Sequence, residues 1–385
     1  MNAALRQFRN FFVSLQLTVV LLIMSLVLVF VATLDQVNLG IWAVQEKYFR
    51  SLFVLWPVPN TSFAIPVFPG GYLVGGFLLV NLIAAHVYRF RLSWKKTGIL
   101  LAHTGLILLL VGELLSGLMQ KDSSMQLQEG ETKKYSESFR EYELAVLDKT
   151  NADYDDVVAI PEAVLADKAV VQHPKLPFQV RIKEYFPNST VQMRDANSPS
   201  TPGVTGIGAR VALIPLPVTS KPDETNVPGT YVELVAPDGT LGTWLVSPAL
   251  GMPQSVNYQG RAWEISLRLK RYYQPFSLSL LKVTNDVYPG TDIPKNFASR
   301  VRVRDDAGHN DREVNIFMNN PLRFGGMTFY QYQMNAAQHM SVFEVVRNPS
   351  WILPYIACGM MGAGLLFQFG LSLAGFIGKR SKAKS

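Results

Sequence analysis

The run FVSLQLTVVLLIMSLVLVFVATL at residues 12–34 contains no Asp, Glu, Lys or Arg. A bilayer's hydrocarbon core is about 30 Å thick and a helix rises about 1.5 Å per residue, so about 20 apolar residues in a row read as a membrane-crossing helix. Three further runs meet this condition, at residues 70–88, 98–119 and 351–377. The first run has the basic start of a secretory signal, Arg6 and Arg9. Its apolar stretch exceeds the usual length of about 7–15 residues and no clear A-x-A site follows, so an uncleaved anchor is expected.

Composition agrees. Of 385 residues, 48% are hydrophobic and only 17% charged, against about 25% charged in soluble domains. Charge is missing between Arg9 and Asp35, Arg50 and Arg89, Lys96 and Glu113, and Arg347 and Lys379, whereas residues 120–349 are ordinarily charged. This excludes a disordered, collagenous or wholly water-soluble chain. The net charge of +7 calls for no nucleic acid once its placement is seen. Arg6 and Arg9 precede the first span. Arg89, Arg91, Lys95 and Lys96 lie between the second and third. Lys379, Arg380, Lys382 and Lys384 follow the fourth. Positive clusters mark the cytoplasmic side, and four spans put all three clusters there. Both termini are therefore expected in the cytoplasm of a multi-pass inner (cytoplasmic) membrane protein, with residues 35–69 and the large segment outside, in the periplasm or its equivalent. The single cysteine, Cys358, excludes an intrachain disulfide, a Cys-x-x-Cys pair and a thiolate cluster.

The outer segment reads as β. Alternating runs occur at residues 179–183, 209–214, 230–235, 262–269, 300–304, 313–318 and 327–334, separated by turn signals such as Asp238-Gly239, Pro289-Gly290 and Gly325-Gly326. Period-two alternation rich in β-branched and aromatic residues is the strand signature. One short helix is expected at residues 161–171, and a long exposed loop at 197–225. The expected fold is four transmembrane α-helices with a large extracytoplasmic β-rich domain, a sandwich or partly closed barrel. Its divisions are a membrane domain at 1–119, the β-rich domain at 120–349, and a last helix with a basic tail at 350–385.

Three stretches resemble the ResB/CcsB family of cytochrome c biogenesis proteins: AHTGLILLLVGELLSGLMQKDSSMQLQEG at 102–130, VYPGTDIPKNFASRVRV at 287–303 and NIFMNNPLRFGGMTFYQ at 315–331. The layout of three spans, a large outer domain and a last span is similar too. The resemblance implies a System II cytochrome c synthase subunit working with a ResC/CcsA-like membrane protein. Together they would carry haem b, transiently bound, to the outer face for covalent attachment to apocytochrome c, with thioredoxin-like proteins keeping thiols reduced. The six tryptophans are scattered, so the partner's tryptophan-rich segment is not here. The chain is expected to be the unfused B half, a non-autonomous subunit of a haem lyase. Two other readings stay open: a b-type haem electron-transfer subunit, and a membrane-anchored binding, scaffold or sensor domain without cofactor.

An ionisable residue inside a span is a functional candidate by default. His103 lies seven residues after Lys96, about 10 Å deep, and His86 three residues before Arg89, about 4–5 Å inside. For His103 the residues alone leave haem ligation, a helix–helix hydrogen bond and cavity lining open; the resemblance implies an axial haem ligand. His86 is the second candidate, against simple snorkelling to the interface. The two allow bis-His ligation within the chain, or the partner supplies the second ligand. Arg89, Arg91, Lys95 and Lys96 are candidates for haem propionates, beside their role as topological anchor. Glu113, near the outer end of the third span, is a weak candidate for a proton or propionate. Tyr330 and Gln331 on the aromatic strand are weaker still. Asn81 is expected to make an interhelical hydrogen bond. Gly98, Gly105 and Gly112 on the third span, and Gly359 with Ala363 on the fourth, are expected at close helix contacts, with Cys358 packed beside them. His173, His309 and His339 are read as solvated. No zinc spacing, phosphate loop or paired catalytic carboxylates occur.

Overall fold

The computed structural model describes residues 3–58, 61, 63–89, 93–151, 154–194, 204–219, 224–290, 294–335 and 337–382. They divide into two compact units, Met1–Lys121 with Arg347–Ser385, and Asp122–Thr219 with Asp223–Val346. Six α-helices occur among these residues: α1 (Ala3–Phe12), α2 (Leu15–Val44), α3 (Gly71–Arg89), α4 (Thr97–Met119), the single-turn α5 (Glu162–Ala166) and α6 (Leu353–Lys382).

In the first unit, four helical segments are long and apolar enough to cross a membrane: Leu15–Phe49, Gly71–Arg89, Trp94–Met119 and Leu353–Arg380. They coincide with the four charge-poor runs, and the chain is a membrane protein. The first differs from expectation at both ends. Ser14 leaves the helix and caps α2, its hydroxyl accepting from the Gln16 N–H, so the basic N-terminus forms its own helix. At the far end α2 continues past Leu34 to Val44. Within it Gly40 takes a left-handed φ of 78°, open to glycine at no steric cost. A π-helical turn (Gln45–Phe49) and a two-stranded hairpin, Phe53–Pro57 with Ala64–Pro69, then lead to α3.

α4 and α6 pack with almost no space between backbones. A Cβ on Gly98 would stand 2.6 Å from the Gly364 carbonyl oxygen, and one on Gly105 2.8 Å from that of Ala357. Small residues are what permit such approach in a membrane, where packing drives association. The α6 partners differ from expectation: Ala357 and Gly364 are buried, while Gly359, Ala363 and Cys358 are exposed. A spacing of four fixed a helical face but not which face meets α4.

The second unit is β-rich and antiparallel almost throughout. Among the described residues its largest sheet has ten strands, eight of them running in spatial order from Asp311–Phe317 through Pro294–Asp305, Arg261–Val287, Thr132–Asp148, Lys121–Gln128, Met340–Arg347 and Met327–Asn335 to Leu322–Phe324, with Gln254–Tyr258 and Asp156–Pro161 paired off this path to Arg261–Val287 and Thr132–Asp148. The two end strands follow one another in sequence, and a bridge between Phe317 and Asn320 draws them together, so the sheet closes into a nearly complete barrel. A five-stranded sheet built on Gln179–Phe186, Gly229–Ala236 and Gly239–Val246 makes a second layer. Both expected architectures are thus present, a barrel and a sandwich.

The 27-residue strand Arg261–Val287 serves both. Its first part gives Trp263, Ile265 and Leu267 to the sandwich core, where Leu144, Val180 and Leu234 meet them. Its second part gives Phe276, Leu278 and Leu280 to the barrel core, with Val301, Phe329 and Phe343. Each such side chain contributes about 1.5–3 kcal/mol by leaving water. The helix expected at 161–171 is only α5. The expected loop at 197–225 holds, among its described residues, strands Val204–Thr205 and Val211–Pro215 and a 3-10 turn, Gly206–Ala209.

Candidate functional site

Asn81 sets the frame of the membrane unit. Fully buried on α3, it donates from Nδ2 to the carbonyls of Phe12 (2.7 Å) and Ser14 (3.1 Å) and accepts from the Thr18 hydroxyl (2.6 Å). Those carbonyls lie at the break between α1 and α2: Phe12 ends α1, where the helix leaves a backbone acceptor open, and Ser14 also accepts from the Thr18 N–H. The expected interhelical hydrogen bond is therefore a triple junction. Phe12 also stacks on Phe77 at 5.9 Å, and the Arg9 guanidinium lies 5.7 Å from the Tyr88 ring.

At the basic end of α3 and α4 the two candidate histidines come together. The rings of His86 and His103 lie 5.9 Å apart between centroids, tilted by 31°. His103 Nδ1 is 2.8 Å from the Ile99 carbonyl oxygen. A carbonyl only accepts, so the proton sits on Nδ1 and Nε2 carries the free lone pair, the arrangement a metal-ligating imidazole uses. The glycine ridge explains where His103 points. Gly105 is pressed onto α6, and two residues on a helix turn about 200°, so position 103 lies on the far side of α4 from α6. His103 is accordingly exposed on the chain, while His86 is half-buried with its Nε2 shielded from solvent.

The candidate cations flank this pair. Arg89 closes α3, and Lys95 and Lys96 form the 3-10 turn that opens α4; all three are exposed. Arg91 lies outside the described residues. Glu113 is exposed ten residues along α4 from His103, about 15 Å away, and takes no part in the pair.

In the β-rich unit, Gln331 points into the barrel. Its Oε1 accepts from the Ser299 hydroxyl (2.7 Å), and its Nε2 donates to the Ser341 hydroxyl (2.6 Å) and the Gln333 carbonyl (3.0 Å). Ser299 and Ser341 are fully buried and 2.8 Å apart. Strand alternation could have placed Gln331 on the inner face, but nothing in its sequence neighbourhood names its partners. Tyr330, beside it, faces outward opposite Glu344. Burial, and then the charge of Asp122, hold the Glu344 carboxyl above its ordinary pKa. Asp311 is the reverse: hydrogen bonds from Arg302 and Arg304 bring its pKa down to about 2. The outer histidines are exposed and separate. His173 accepts from the Lys175 N–H, His309 donates its N–H to Asp305, and His339 lies 3.2 Å from Glu129. Among the described residues no three His, Cys, Asp or Glu side chains gather as a metal site.

Residues 265–346 match the ResB-like family. This segment contains most of the barrel, including Ser299, Gln331, Ser341 and Glu344; the histidine pair lies outside it. Protein NrfI of Wolinella succinogenes is 31% identical over 94 residues, which are 24% of this chain and 10% of that protein. The chain thus spans about a tenth of the length of that curated relative.

Proposed function

The chain is ResB-like over residues 265–346, and from that premise we propose that it works in cytochrome c biogenesis as a subunit of a membrane cytochrome c synthase. It holds haem at His103 and His86, moves it toward the outer face and delivers it for covalent attachment to apocytochrome c. The observation that carries this reading is the histidine pair in the spans. Two imidazoles on one iron, with metal–nitrogen bonds of about 2.0–2.1 Å, put their ring centroids roughly 6–6.5 Å apart. The separation of 5.9 Å lies just below that range, and the Nε2 of His103 is open to a metal.

When bound, haem supplies an iron that accepts axial imidazoles and two anionic propionates. His103 and His86 would hold the iron, and Arg89, Arg91, Lys95 and Lys96 would meet the propionates as charge-assisted partners. The Ile99 carbonyl orients His103 and fixes the tautomer that leaves Nε2 open. The basic clusters support a cytoplasmic setting for this end, with the β-rich unit outside engaging a ResC/CcsA-like membrane protein and apocytochrome c. A b-type electron carrier would use the same pair, but the pair lies near one end of the spans, and electron transfer across the bilayer needs a second site at the other.

The test is genetic. Cells lacking this chain and any second copy should lose covalently attached cytochrome haem. The wild-type gene should restore it, and the His86→Ala/His103→Ala double variant should not. Normal holocytochrome c in the deletion strain would overturn the function. Normal yield with the double variant would overturn the ligand assignment.

A further inference from the structure

The strands Phe53–Pro57 and Ala64–Pro69 form an isolated antiparallel pair that is built wrongly for water. Adjacent strand residues face opposite ways, yet both faces are apolar and open. Leu55 is 50% and Trp56 65% exposed, and Ile65 and Val67 about half exposed. No charged residue occurs anywhere between Arg50 and Arg89. An isolated two-stranded hairpin is marginally stable at best in water.

Its depth follows from α2 and α3. Thr18 meets Asn81 at 2.6 Å, which puts those residues level on two antiparallel helices. Ten residues further along each, about 15 Å, Leu28 comes level with Gly71. The hairpin is rooted at that height. Val54 packs into one cluster with Leu28 and Ala32, and the Gly70 N–H donates to the Leu52 carbonyl at 2.8 Å. Leu28 stands six residues, about 9 Å, short of the end of the charge-free run. The first charge beyond it, Asp35, is met by Lys47 at 2.8 Å and the Tyr48 hydroxyl at 2.9 Å. The hairpin therefore leaves the helices within the apolar zone, on the end opposite the histidine pair. Pro57, Pro66 and Pro69 also lack the N–H that an open sheet edge would leave unsatisfied there.

We propose that this strand pair is a lipid-facing element, seated at the headgroup–acyl boundary of the leaflet next to the α2–α3 connection, with phospholipid as its occupant. Continuity with the spans, the absence of charge and two open apolar faces carry the proposal, which does not depend on the haem reading. In that place Trp56 acts as an interfacial anchor of the kind tryptophan provides in spanning helices.

The test uses the full chain in phosphatidylcholine nanodiscs. Cys358, the only cysteine, is replaced by serine, and single cysteines are introduced as Leu55→Cys and Ile65→Cys on the two faces. Val80→Cys on the exposed side of α3 serves as lipid reference and Asp306→Cys as water reference. Spin labels report collisions with oxygen, which partitions into lipid, and with an aqueous nickel chelate. Both hairpin labels are expected to follow Val80, with strong oxygen relaxation and loss of the nickel effect. Nickel relaxation like that at Asp306 would overturn the proposal. So would shielding from both agents, the mark of a protein surface over the hairpin. If the Leu55 variant is not monodisperse, Pro66→Cys, its register partner on the same face, takes its place, as does Trp56→Cys for Ile65.

Discussion

The His86 and His103 rings lie 5.9 Å apart on neighbouring antiparallel helices, and His103 is tethered to the backbone carbonyl of Ile99. If both ligate one iron, each is needed for affinity. His103→Ala and His86→Ala are each expected to lower the haem retained by purified protein by at least about tenfold, the effect of about 1.4 kcal/mol. Added imidazole, which refills an empty axial position, should restore a low-spin absorption spectrum. Unchanged haem content in either single variant would remove that residue from the ligand set.

Much of this layout was legible because charge and burial leave marks within short windows. The spans show as charge-free runs, and the depth of His86 and His103 follows from their distance to Arg89 and Lys96. Elements that depend on distant partners were harder to read. The Arg261–Val287 strand alternates at residues 262–269 and again at 276–280, but Tyr272-Tyr273-Gln274-Pro275 interrupts it where the strand passes from one core to the other, so the first run alone reads as a strand. The Thr132–Asp148 strand begins TKKYSESFREYE, whose polar residues hide its pairing. The Ser299–Gln331–Ser341 contacts join residues 32 and 42 positions apart and leave no local trace. Sidedness on α6 was misread for the same reason: glycine spacing defines a stripe, and only the partner helix says which stripe is used.

That partner helix makes Gly105 sensitive. A side chain there meets the Ala357 carbonyl at 2.8 Å, so α4 and α6 must separate. Gly105→Leu is expected to cost about 1–3 kcal/mol, the usual range for overpacking. Thermal unfolding in detergent should show a lowered midpoint. Gly359→Ala, on the exposed side of α6 with nothing within 4 Å, should not lower it, since alanine favours the helix over glycine. Equal effects from both would mean that α4 and α6 do not pack along this ridge.

At Asn81 three hydrogen bonds are lost together. Asn81→Leu takes from the Phe12 carbonyl its Asn81 donor inside the apolar zone, where an unmet polar group costs about 1–3 kcal/mol, while the Ser14 carbonyl keeps the Thr18 N–H. Thr18→Ala removes one bond and should cost less. The double variant should fall short of the sum of the two, since Thr18 has already lost its partner on α3. Strict additivity in the same unfolding measurement would mean that the two side chains do not interact.

Inside the barrel the same asymmetry gives a sharper contrast. Gln331→Leu takes the amide partner from two buried hydroxyls, leaving them only each other, and should destabilise by about 1–3 kcal/mol, whereas removing every polar member at once leaves no buried hydroxyl short of a partner. The triple variant Ser299→Ala/Gln331→Leu/Ser341→Ala is therefore expected to be more stable than Gln331→Leu alone. A triple variant less stable than the single one would assign these residues a packing role rather than a polar one.

Glu344 sets the pH dependence on the outer face of the same barrel. Burial first, and the Asp122 charge second, make its carboxyl hold a proton more tightly in the folded chain than in the unfolded one. Its contribution to stability is then fully present below the unfolded pKa and is lost as pH rises through the raised folded value. Above that window the ionised carboxylate is a burden on the native state. Glu344→Gln should remove this loss, raising the unfolding midpoint at neutral pH and flattening its decline above the ordinary carboxylate range. Asp122→Asn should recover a smaller part, because burial is the larger cause. If wild type and Glu344→Gln keep the same midpoint difference from acid to neutral pH, the carboxyl is not shifted in the folded protein.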